Sequence, residues 1–434
     1  MDANISLSCS TQATTQTKLI SKRKEGFLDS FVHFFVFLST LFIGADIIGI
    51  NIGVNLRLDQ LFLLISCFFM TLNNSFRLKK NNSILFFALF SLISLVLSVN
   101  IARGIMYYFF IVFNIIFIFY LYSNYIQKYG PMKFMSLFRK TIYVSFIIFI
   151  TQYVLKIALG FEFSFLPTYG EYFGVPRFRL WFYEPSYMAT FFLFWFAFSL
   201  YMLIFCKYKS FKLDLILTSI ILLLCTSTSG YIGVGMTLFF VYLLWLKKGI
   251  SLKKLSILFL LIILLIILRF AFSNIYNVFV GRLFEGSLNA VSGGRMAGWT
   301  ETINVFKQKP LFGVGPGCYG TFLGVDPGYM PTNVTLEIMA TLGIFATISF
   351  FALHISLFRQ SLRLCKYDKN SRIIVGLCFA LFIFVVILQF NQGYLRLYHW
   401  MFLGIIDGFL AYYKKAIKIK KEGEKNEGNN ISRG

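Results

Sequence analysis

The sequence predicts an all-α, polytopic membrane protein with about twelve transmembrane helices. Of its 434 residues, 58% are hydrophobic, and the mean hydropathy is +0.73. The apolar residues form runs close to the ~20 residues that a helix needs to cross a bilayer. We predict spans at 27–50, 58–73, 83–100, 104–122, 141–160, 182–205, 213–229, 230–246, 255–272, 333–357, 373–391 and 397–413.

The distribution of basic residues predicts the orientation of these spans. The net charge of +23 could indicate a nucleic-acid-binding protein. However, 30 of the 41 lysines and arginines fall in the tails and loops on the side of the N-terminus. This asymmetry is the positive-inside bias of a membrane protein, so we expect both termini to be cytoplasmic and no nucleic acid to be bound.

The spans divide the chain into five parts. A tail at 1–26 precedes the first nine helices at 27–272, which include an outer loop at 161–181. A long outward loop at 273–332 follows, then the last three helices at 333–413 and a basic cytoplasmic tail at 414–434. A loop of that length is uncommon unless it has a function, and its many aromatic residues argue that it folds. We expect it to contain short helices and to roof a site that faces away from the cytoplasm.

The first cluster that could carry chemistry is Arg177, Arg179 and Glu184, at the start of the predicted span 182–205. Glu184 could simply stabilise the helix N-terminus, where Pro185 suits the first helical position. The alternative is functional. Two arginine forks can hold a phosphate, and a half-buried carboxylate can deprotonate a hydroxyl.

A second cluster lies in the long loop, where residues 292–310 have the spacing of a short amphipathic helix. The apolar residues of that spacing are Met296, Trp299, Ile303 and Phe306. Arg295 falls in the first turn, where a cation opposes the helix dipole, so a purely structural role is unfavourable there. The amides of Gly293 and Gly294 could complete an anion site with Arg295, and Arg282 could add a second fork.

Two other patterns in the sequence do not predict a cofactor or a metal. Gly315, Gly317 and Gly320 fit the dinucleotide pattern GxGxxG, but that pattern needs a preceding strand and a cytosolic βαβ unit. We instead predict tight turns that pack against the helices. The histidines do not cluster with carboxylates on the outward side, so we expect no catalytic metal and no cofactor.

Four polar residues lie within or beside the predicted spans. Glu337, one turn after Asn333, is an acid inside a membrane helix, so we expect it to face a cavity or to pair with an outer arginine. Asp46 and Asp407 fall in the middle of predicted spans. They could indicate a proton relay, although no partner lies near them in sequence.

Together these motifs resemble the O-antigen ligase/polymerase superfamily. Two of the motifs are the arginine-rich loop leading into E-P-S, at Arg177–Ser186, and the S-x-S-G turn, at Ser227–Gly230. The other two are the G-G-R to P-x-F-G-x-G stretch, at Gly293–Gly317, and N-x-x-L-E, at Asn333–Glu337. The resemblance implies a GT-C-like helical fold in the bacterial inner membrane. It also implies a periplasmic active site that acts on sugars linked to undecaprenyl pyrophosphate.

Within that superfamily the ligases carry a histidine where this chain has Thr332, which favours a Wzy-type polymerase. An arginine followed eleven residues later by glycine, a polymerase feature, fits Arg282 and Gly293. Such an enzyme transfers a growing glycan from undecaprenyl pyrophosphate to the non-reducing end of a lipid-linked repeat unit. A chain-length regulator protein is a further possible partner. The alternatives are an O-antigen ligase and a flippase or transporter of lipid-linked oligosaccharides.

The residue types fit this chemistry, because a pyrophosphate leaving group needs its charge neutralised rather than a proton. We expect Arg295 to supply most of that neutralisation, followed by Arg177, Arg179 and Arg282. Glu184 is our candidate base, with Glu337 second. The expected sugar-binding residues are Trp299, Trp181 and Asn333, with Tyr319 as a further aromatic platform.

Overall fold

The computed structural model describes residues 26–51, 55–172, 175–247, 249, 295–367 and 371–431. The helices in these ranges are α1 (Phe27–Leu41), α2 (Leu58–Leu72), α3 (Asn82–Val96), α4 (Ile101–Phe113), α5 (Tyr120–Tyr129), α6 (Pro131–Leu159), α7 (Pro185–Phe205), α8 (Lys212–Leu224), α9 (Thr228–Leu246), α10 (Arg295–Gln308), α11 (Tyr319–Leu323), α12 (Val334–Tyr367), α13 (Arg372–Ile387) and α14 (Leu397–Ile431). A π-helical segment, Asn114–Phe119, joins α4 to α5, and 3-10 turns occupy Lys209–Phe211 and Leu388–Phe390.

Two short antiparallel hairpins complete the secondary structure of the described ranges. Strand β1 (Gly49–Asn51) pairs with β2 (Asn55–Arg57), and β3 (Glu171–Tyr172) pairs with β4 (Val175–Pro176). Both hairpins connect helices, and the loops that contain them meet at one end of the bundle, where the amide of Ile47 donates to the carbonyl of Trp181 and the amide of Tyr183 donates to Asp46, both at 3.4 Å. The molecule is therefore a helical bundle with small loop structures at one end.

The helices confirm the predicted class of polytopic membrane protein. Among the described residues, six helical segments are long and apolar enough to cross a membrane: Ile101–Tyr129, Pro131–Leu159, Pro185–Phe205, Thr228–Leu246, Val334–Lys366 and Arg372–Phe390. Three shorter apolar helices, Phe27–Leu41, Leu58–Leu72 and Asn82–Val96, accompany them. The predicted span 255–272 lies outside the described residues, so the count of twelve stays a prediction.

The first helix is shorter than the predicted span 27–50. It ends at Leu41, and Gly44 follows with φ of +82°, a conformation that side chains rarely adopt. A β-carbon at Gly44 would lie 2.7 Å from the ring of Phe182. The chain therefore leaves the helix axis before residue 46, with no room for a side chain at Gly44. Asp46 lies in a loop and not in the middle of a span.

Helix α7 forms the centre of the bundle. Its residues are buried around most of the helix circumference, and it packs against α8, α9 and α13. The rings of Phe194 on α7 and Phe402 on α14 stack with centroids 3.7 Å apart. A helix that is apolar on all sides is expected only at such a central position. Glu184 is its N-cap residue, so the packing of α7 fixes one end of the candidate site.

Helix α12 is broken at Gly343, which has φ of +81° and ψ of −179°. The break leaves the carbonyls of Ala340 and Thr341 without their helical donors. The amides of Val314 and Gly315 in the outward loop donate to these carbonyls at 3.0 and 2.9 Å. In return, the amide of Ile344 donates to Pro310 at 3.0 Å. The second half of the long loop is therefore hydrogen-bonded into a transmembrane helix.

The glycine-rich stretch of this loop forms tight turns, as the sequence predicted. Gly313, Gly315 and Gly317 all have positive φ, and a β-carbon at Gly315 would lie 2.1 Å from the Ser98 hydroxyl. Arg103 on α4 donates a hydrogen bond to the carbonyl of Gly317. The stretch thus packs directly against α4 and the end of α3, and it holds the C-terminal end of α10 in place.

Candidate functional site

The candidate site lies where the outward ends of α7, α10, α12 and α14 meet. The term candidate site refers to six residues, which lie on these helices and on the segment 161–184: Tyr169, Arg177, Arg179, Glu184, Tyr187 and Arg295.

Tyr169, Arg177 and Arg179 are placed together by the hairpin of β3 and β4. The amide of Tyr169 donates to the carbonyl of Arg177, and the amide of Arg177 donates to Gly170, both at 2.9 Å. The guanidinium carbons of Arg177 and Arg179 lie 5.3 and 5.5 Å from the centre of the Tyr169 ring. Arg179 also donates to the carbonyls of Pro167 and Tyr183, at 3.0 and 2.8 Å. Two cations are thereby held beside one aromatic ring.

Glu184 is the N-cap residue of α7, but its side chain makes no capping bond to the helix backbone. Its carboxylate accepts hydrogen bonds from the hydroxyls of Ser186, at 2.9 Å, and Tyr169, at 3.3 Å. Burial and the Glu184 charge raise the pKa of the Tyr169 hydroxyl, so this group stays protonated and acts as the donor. The half-buried carboxylate is oriented by side chains, as a functional carboxylate would be.

Arg295 is the first described residue of α10, and it lies near enough to Glu184 and Tyr187 to interact with both electrostatically. Burial lowers the pKa of the Arg295 guanidinium, and the charges of Glu184 and Tyr187 oppose that shift. Arginine remains protonated despite such a shift, because its unperturbed pKa is above ~12. The half-buried cation of the long loop and the carboxylate at the start of α7 therefore attract each other.

A buried ion network supports this site from below. Asp46 accepts hydrogen bonds from Arg57 at 2.6 Å and from Arg396 at 2.8 Å. The guanidinium carbon of Arg396 lies 3.6 Å from the centre of the Tyr187 ring. Gln392 donates to the Tyr187 hydroxyl at 2.7 Å. Asp46 is thus an ion-paired residue of a loop, which corrects its predicted position within a span and removes the motive for a proton relay.

We expect the Asp46–Arg396 pair to be strongly coupled. In a double-mutant cycle with Asp46→Asn and Arg396→Gln, we expect a coupling free energy of unfolding of about 1–3 kcal/mol, because both side chains are largely buried. The coupling free energy is measured by unfolding the wild type, the two single variants and the double variant with a denaturing detergent. The control cycle uses the more exposed pair Lys156 and Glu162, for which we expect less than about 1 kcal/mol. Equal coupling in the two cycles would contradict a supporting role for Arg396.

Glu337 and Asn333 fix the start of α12. Asn333 accepts a hydrogen bond from the amide of Leu336 and donates to the carbonyl of Gln389, both at 3.0 Å. Glu337 is only 5% exposed and accepts a hydrogen bond from the amide of Gly393 at 3.0 Å. The structure therefore brings both residues to the segment that carries Arg396. The burial of Glu337 favours the structural interpretation over a role as base.

The aromatic residues that were predicted to bind sugars differ in their exposure to solvent. Trp299 is half-buried, lies one turn after Arg295 on α10 and has its ring 6.2 Å from that of Phe390. Trp181, in contrast, is only 2% exposed and packs against Phe42 with centroids 5.2 Å apart. Tyr319 is also buried, with its hydroxyl 3.0 Å from that of Thr302. Only Trp299 retains a ring surface beside the candidate site, because core packing covers the other two.

Arg282 lies outside the described residues, as do Gly293 and Gly294. The S-x-S-G turn, in contrast, lies at the site. Arg177 interacts electrostatically with Cys225 and Tyr231, on either side of that turn. Ser227 caps α9 by accepting a hydrogen bond from the amide of Gly230 at 3.4 Å. Helix α8 has only 13 residues, so the pair of predicted spans at this position does not consist of two full-length helices.

Two residues of the candidate site, Tyr169 and Tyr187, were not predicted from the sequence, and neither were Gln392 and Arg396 of the supporting network. The available signal was weak, because Arg396 was only one of eleven basic residues on the outward side. Its proximity to Asp46 depends on chain segments 350 residues apart. Within the described ranges, no group of three or more His, Cys, Asp or Glu residues could hold a metal ion.

The fold and the site define a multi-pass helical membrane protein with an arginine–carboxylate site at one end of its bundle. Residues 214–351 match the model of the Wzy_C family, described as O-Antigen ligase. This segment, about a third of the chain, includes α10 with Arg295 and the first half of α12. The match is consistent with the O-antigen ligase/polymerase superfamily and with an activity on lipid-linked glycans. A comparison with curated proteins found no match.

Proposed function

We propose that this protein is a surface-polysaccharide polymerase of the Wzy type. It transfers a growing glycan from undecaprenyl pyrophosphate to the non-reducing sugar of a lipid-linked repeat unit, at the periplasmic face of the bacterial inner membrane. The observation that carries the proposal is a cluster in which Arg295 interacts electrostatically with Glu184, while Arg177 and Arg179 lie at the ring of Tyr169, which is hydrogen-bonded to Glu184.

This arrangement supplies what the reaction needs. The bond between the anomeric carbon and the pyrophosphate oxygen breaks, and a new bond forms between that carbon and the acceptor hydroxyl oxygen. The hydroxyl proton passes to the Glu184 carboxylate. The pyrophosphate leaves with its negative charge, which the planar guanidinium groups neutralise through paired hydrogen bonds. No cofactor is required for this balance.

The charge pattern and the fold together support the proposed orientation. Helix α1 begins at Phe27, and the loop after its C-terminus carries Asp46, which is bonded to the network below the candidate site. The N-terminus of α1 and the candidate site are therefore at opposite faces of the bundle. With the positive-inside bias at the N-terminal face, the candidate site faces the periplasm.

An O-antigen ligase is the second candidate, favoured by the description of the matched family. The position where the ligase resemblance requires a histidine is Thr332 in this chain. None of the three histidines replaces it. His354 and His399 are hydrogen-bonded to each other at 2.9 Å in the buried core, and His33 is bonded to Tyr125 at the other end of the bundle. These positions support the polymerase over the ligase.

Deletion of the gene separates the candidate functions. We expect lipopolysaccharide from the deletion strain to carry core plus a single repeat unit on a gel, because one unit can still be ligated without polymerisation. Loss of a ligase would leave bare core. Loss of a flippase would also leave bare core, with lipid-linked precursor on the cytoplasmic face. Restoration of the full ladder by the wild-type gene is the control, and bare core would overturn the proposal.

A further inference from the structure

Tyr187 supplies a buried hydroxyl that the proposed reaction does not use. This residue lies in the first turn of α7, three residues after Glu184, and is only 3% exposed. The guanidinium carbon of Arg396 lies 3.6 Å from the centre of its ring, and the Tyr183 ring is stacked with it at 6.5 Å. These contacts hold the ring in place and thereby fix the position of the hydroxyl.

The polar groups that approach this hydroxyl are donors. The side-chain nitrogen of Gln392 donates a hydrogen bond to the hydroxyl oxygen at 2.7 Å. The guanidinium of Arg396, which lies against the ring, has no acceptor atom. A phenol hydroxyl can accept through two lone pairs and can donate one hydrogen of its own. The hydrogen of the Tyr187 hydroxyl is therefore still available for an acceptor.

Among the residues that the structure describes, none accepts this hydrogen. The two nearby carboxylates are engaged by other donors. Glu184 accepts hydrogen bonds from Ser186 and Tyr169. Asp46 is ion-paired with two arginines. A buried donor without an acceptor is unfavourable, so the Tyr187 hydrogen suits an acceptor that arrives with a ligand.

The charges around Tyr187 indicate the kind of acceptor. Tyr187 interacts electrostatically with Glu184 and with Arg295, so its hydroxyl lies within the candidate site. An anionic oxygen that pairs with the Arg295 guanidinium would lie beside this hydroxyl, and such an oxygen accepts hydrogen bonds without donating any. The bond from Gln392 also polarises the hydroxyl, which makes it a stronger donor.

We propose that the Tyr187 hydroxyl binds substrate directly, by donating its hydrogen to an oxygen of the pyrophosphate beside Arg295. Gln392 is a positioning residue, because its bond to the hydroxyl oxygen leaves the hydrogen for the ligand. The identity of the ligand rests on the proposed function. As the bond to the anomeric carbon breaks, negative charge grows on the pyrophosphate, and a fixed donor stabilises that charge. The hydrogen stays on the phenol oxygen throughout, so no proton is transferred.

The first test is the affinity of the purified full-length protein for inorganic pyrophosphate, measured by isothermal titration calorimetry. Tyr187→Phe removes the hydroxyl but keeps the ring beside Arg396. We expect about tenfold weaker binding, the effect of losing one hydrogen bond to a charged group. The matched control Tyr183→Phe changes a tyrosine that is 52% exposed and should bind as the wild type does. Wild-type affinity in Tyr187→Phe, or no pyrophosphate binding by the wild type, would overturn the proposal.

A second test uses Gln392→Glu, because a carboxylate accepts the Tyr187 hydrogen and withdraws it from the ligand. The added negative charge also weakens pyrophosphate binding, and the Tyr187→Phe background measures that effect alone. We expect Gln392→Glu to weaken binding at least about threefold more in the wild-type background than in Tyr187→Phe. Equal effects in the two backgrounds would show that the hydroxyl does not donate to the ligand.

Elongation by proteoliposomes supplied with a lipid-linked repeat unit separates this inference from the proposed function. Tyr187→Phe should lower kcat by about 10–10²-fold with a smaller change in KM, because the charge on the leaving group is largest in the transition state. Elongation with an unchanged kcat in Tyr187→Phe would overturn the role of Tyr187 and leave the polymerase intact. Weaker pyrophosphate binding by Tyr187→Phe, together with bare core in the deletion strain, would support the role of Tyr187 and overturn only the polymerase.

Discussion

Replacement of Arg295 by alanine should reduce the initial rate of glycan elongation by about 10²–10³-fold, the typical cost of losing one charge-stabilising donor. The reason is that Arg295 is half-buried and interacts electrostatically with Glu184, so its guanidinium can stabilise the departing pyrophosphate beside the candidate base. Arg295→Lys should have an intermediate rate, because an ammonium group keeps the charge but lacks the planar fork. The measurement is polymer formed over time by proteoliposomes supplied with a lipid-linked repeat unit.

Lys307→Ala provides the matched control for Arg295. Lys307 is an exposed cation in the last turn of the same helix, so its loss should leave the elongation rate within about twofold of wild type. A wild-type rate for Arg295→Lys would argue against a paired contact with pyrophosphate. A wild-type rate for Arg295→Ala would remove Arg295 from the reaction.

The second large effect is expected at Glu184. Glu184→Gln should lower the elongation rate by about 10²–10⁴-fold, the usual contribution of a positioned general base. The glutamine oxygen can still accept one of the two hydrogen bonds, from Ser186 or Tyr169, and its amide group can donate to the other hydroxyl, so the N-terminus of α7 should remain in place. The same proteoliposome assay measures the rate, and the amount of folded protein is checked by gel filtration.

Glu171→Gln is the control for this substitution. Glu171 is an exposed acid in strand β3 of the same outer loop, and its replacement should leave the rate unchanged. Should Glu184→Gln retain the wild-type rate, the reaction would proceed by charge neutralisation alone. In that case the acceptor hydroxyl would lose its proton to water.

Local patterns in the sequence were sufficient to predict α10 and its arginine. The apolar spacing from Met296 to Phe306 predicted a helix, and the structure has one at Arg295–Gln308. The position of Arg295 in the first turn also followed from sequence, because capping and dipole effects act within a few residues. Glu184 was already the candidate base of the same site, but the sequence could not show that it interacts with Arg295, because the two residues belong to different helices.

The ion network shows why the rest of the site was not predictable. Asp46 is paired with Arg396, and only the folded bundle brings these two residues together. The composition of the segment around Asp46 is apolar enough to be read as a span. The conformation of Gly44 ends that span early, and no hydrophobicity pattern records a positive φ.

The tryptophans show a similar limit. Trp181 and Trp299 both occur close to arginines in sequence, so both were expected to bind sugars. Their exposures differ because Trp181 packs beneath the hairpin loop against Phe42, whereas Trp299 lies on the surface helix α10. Exposure of a large ring depends on which elements pack above it, and this packing was not predictable from the neighbouring sequence.

The break in α12 has a consequence for how this protein can vary. Surface loops usually tolerate insertions and deletions. Here the amides of Val314 and Gly315 match two successive carbonyls of the broken helix, while Pro310 accepts a bond from Ile344. One added residue between Pro310 and Val314 would shift the donors out of step with their acceptors. The length of this segment is therefore as constrained as the register of a β-strand, although it lies in the longest loop of the chain.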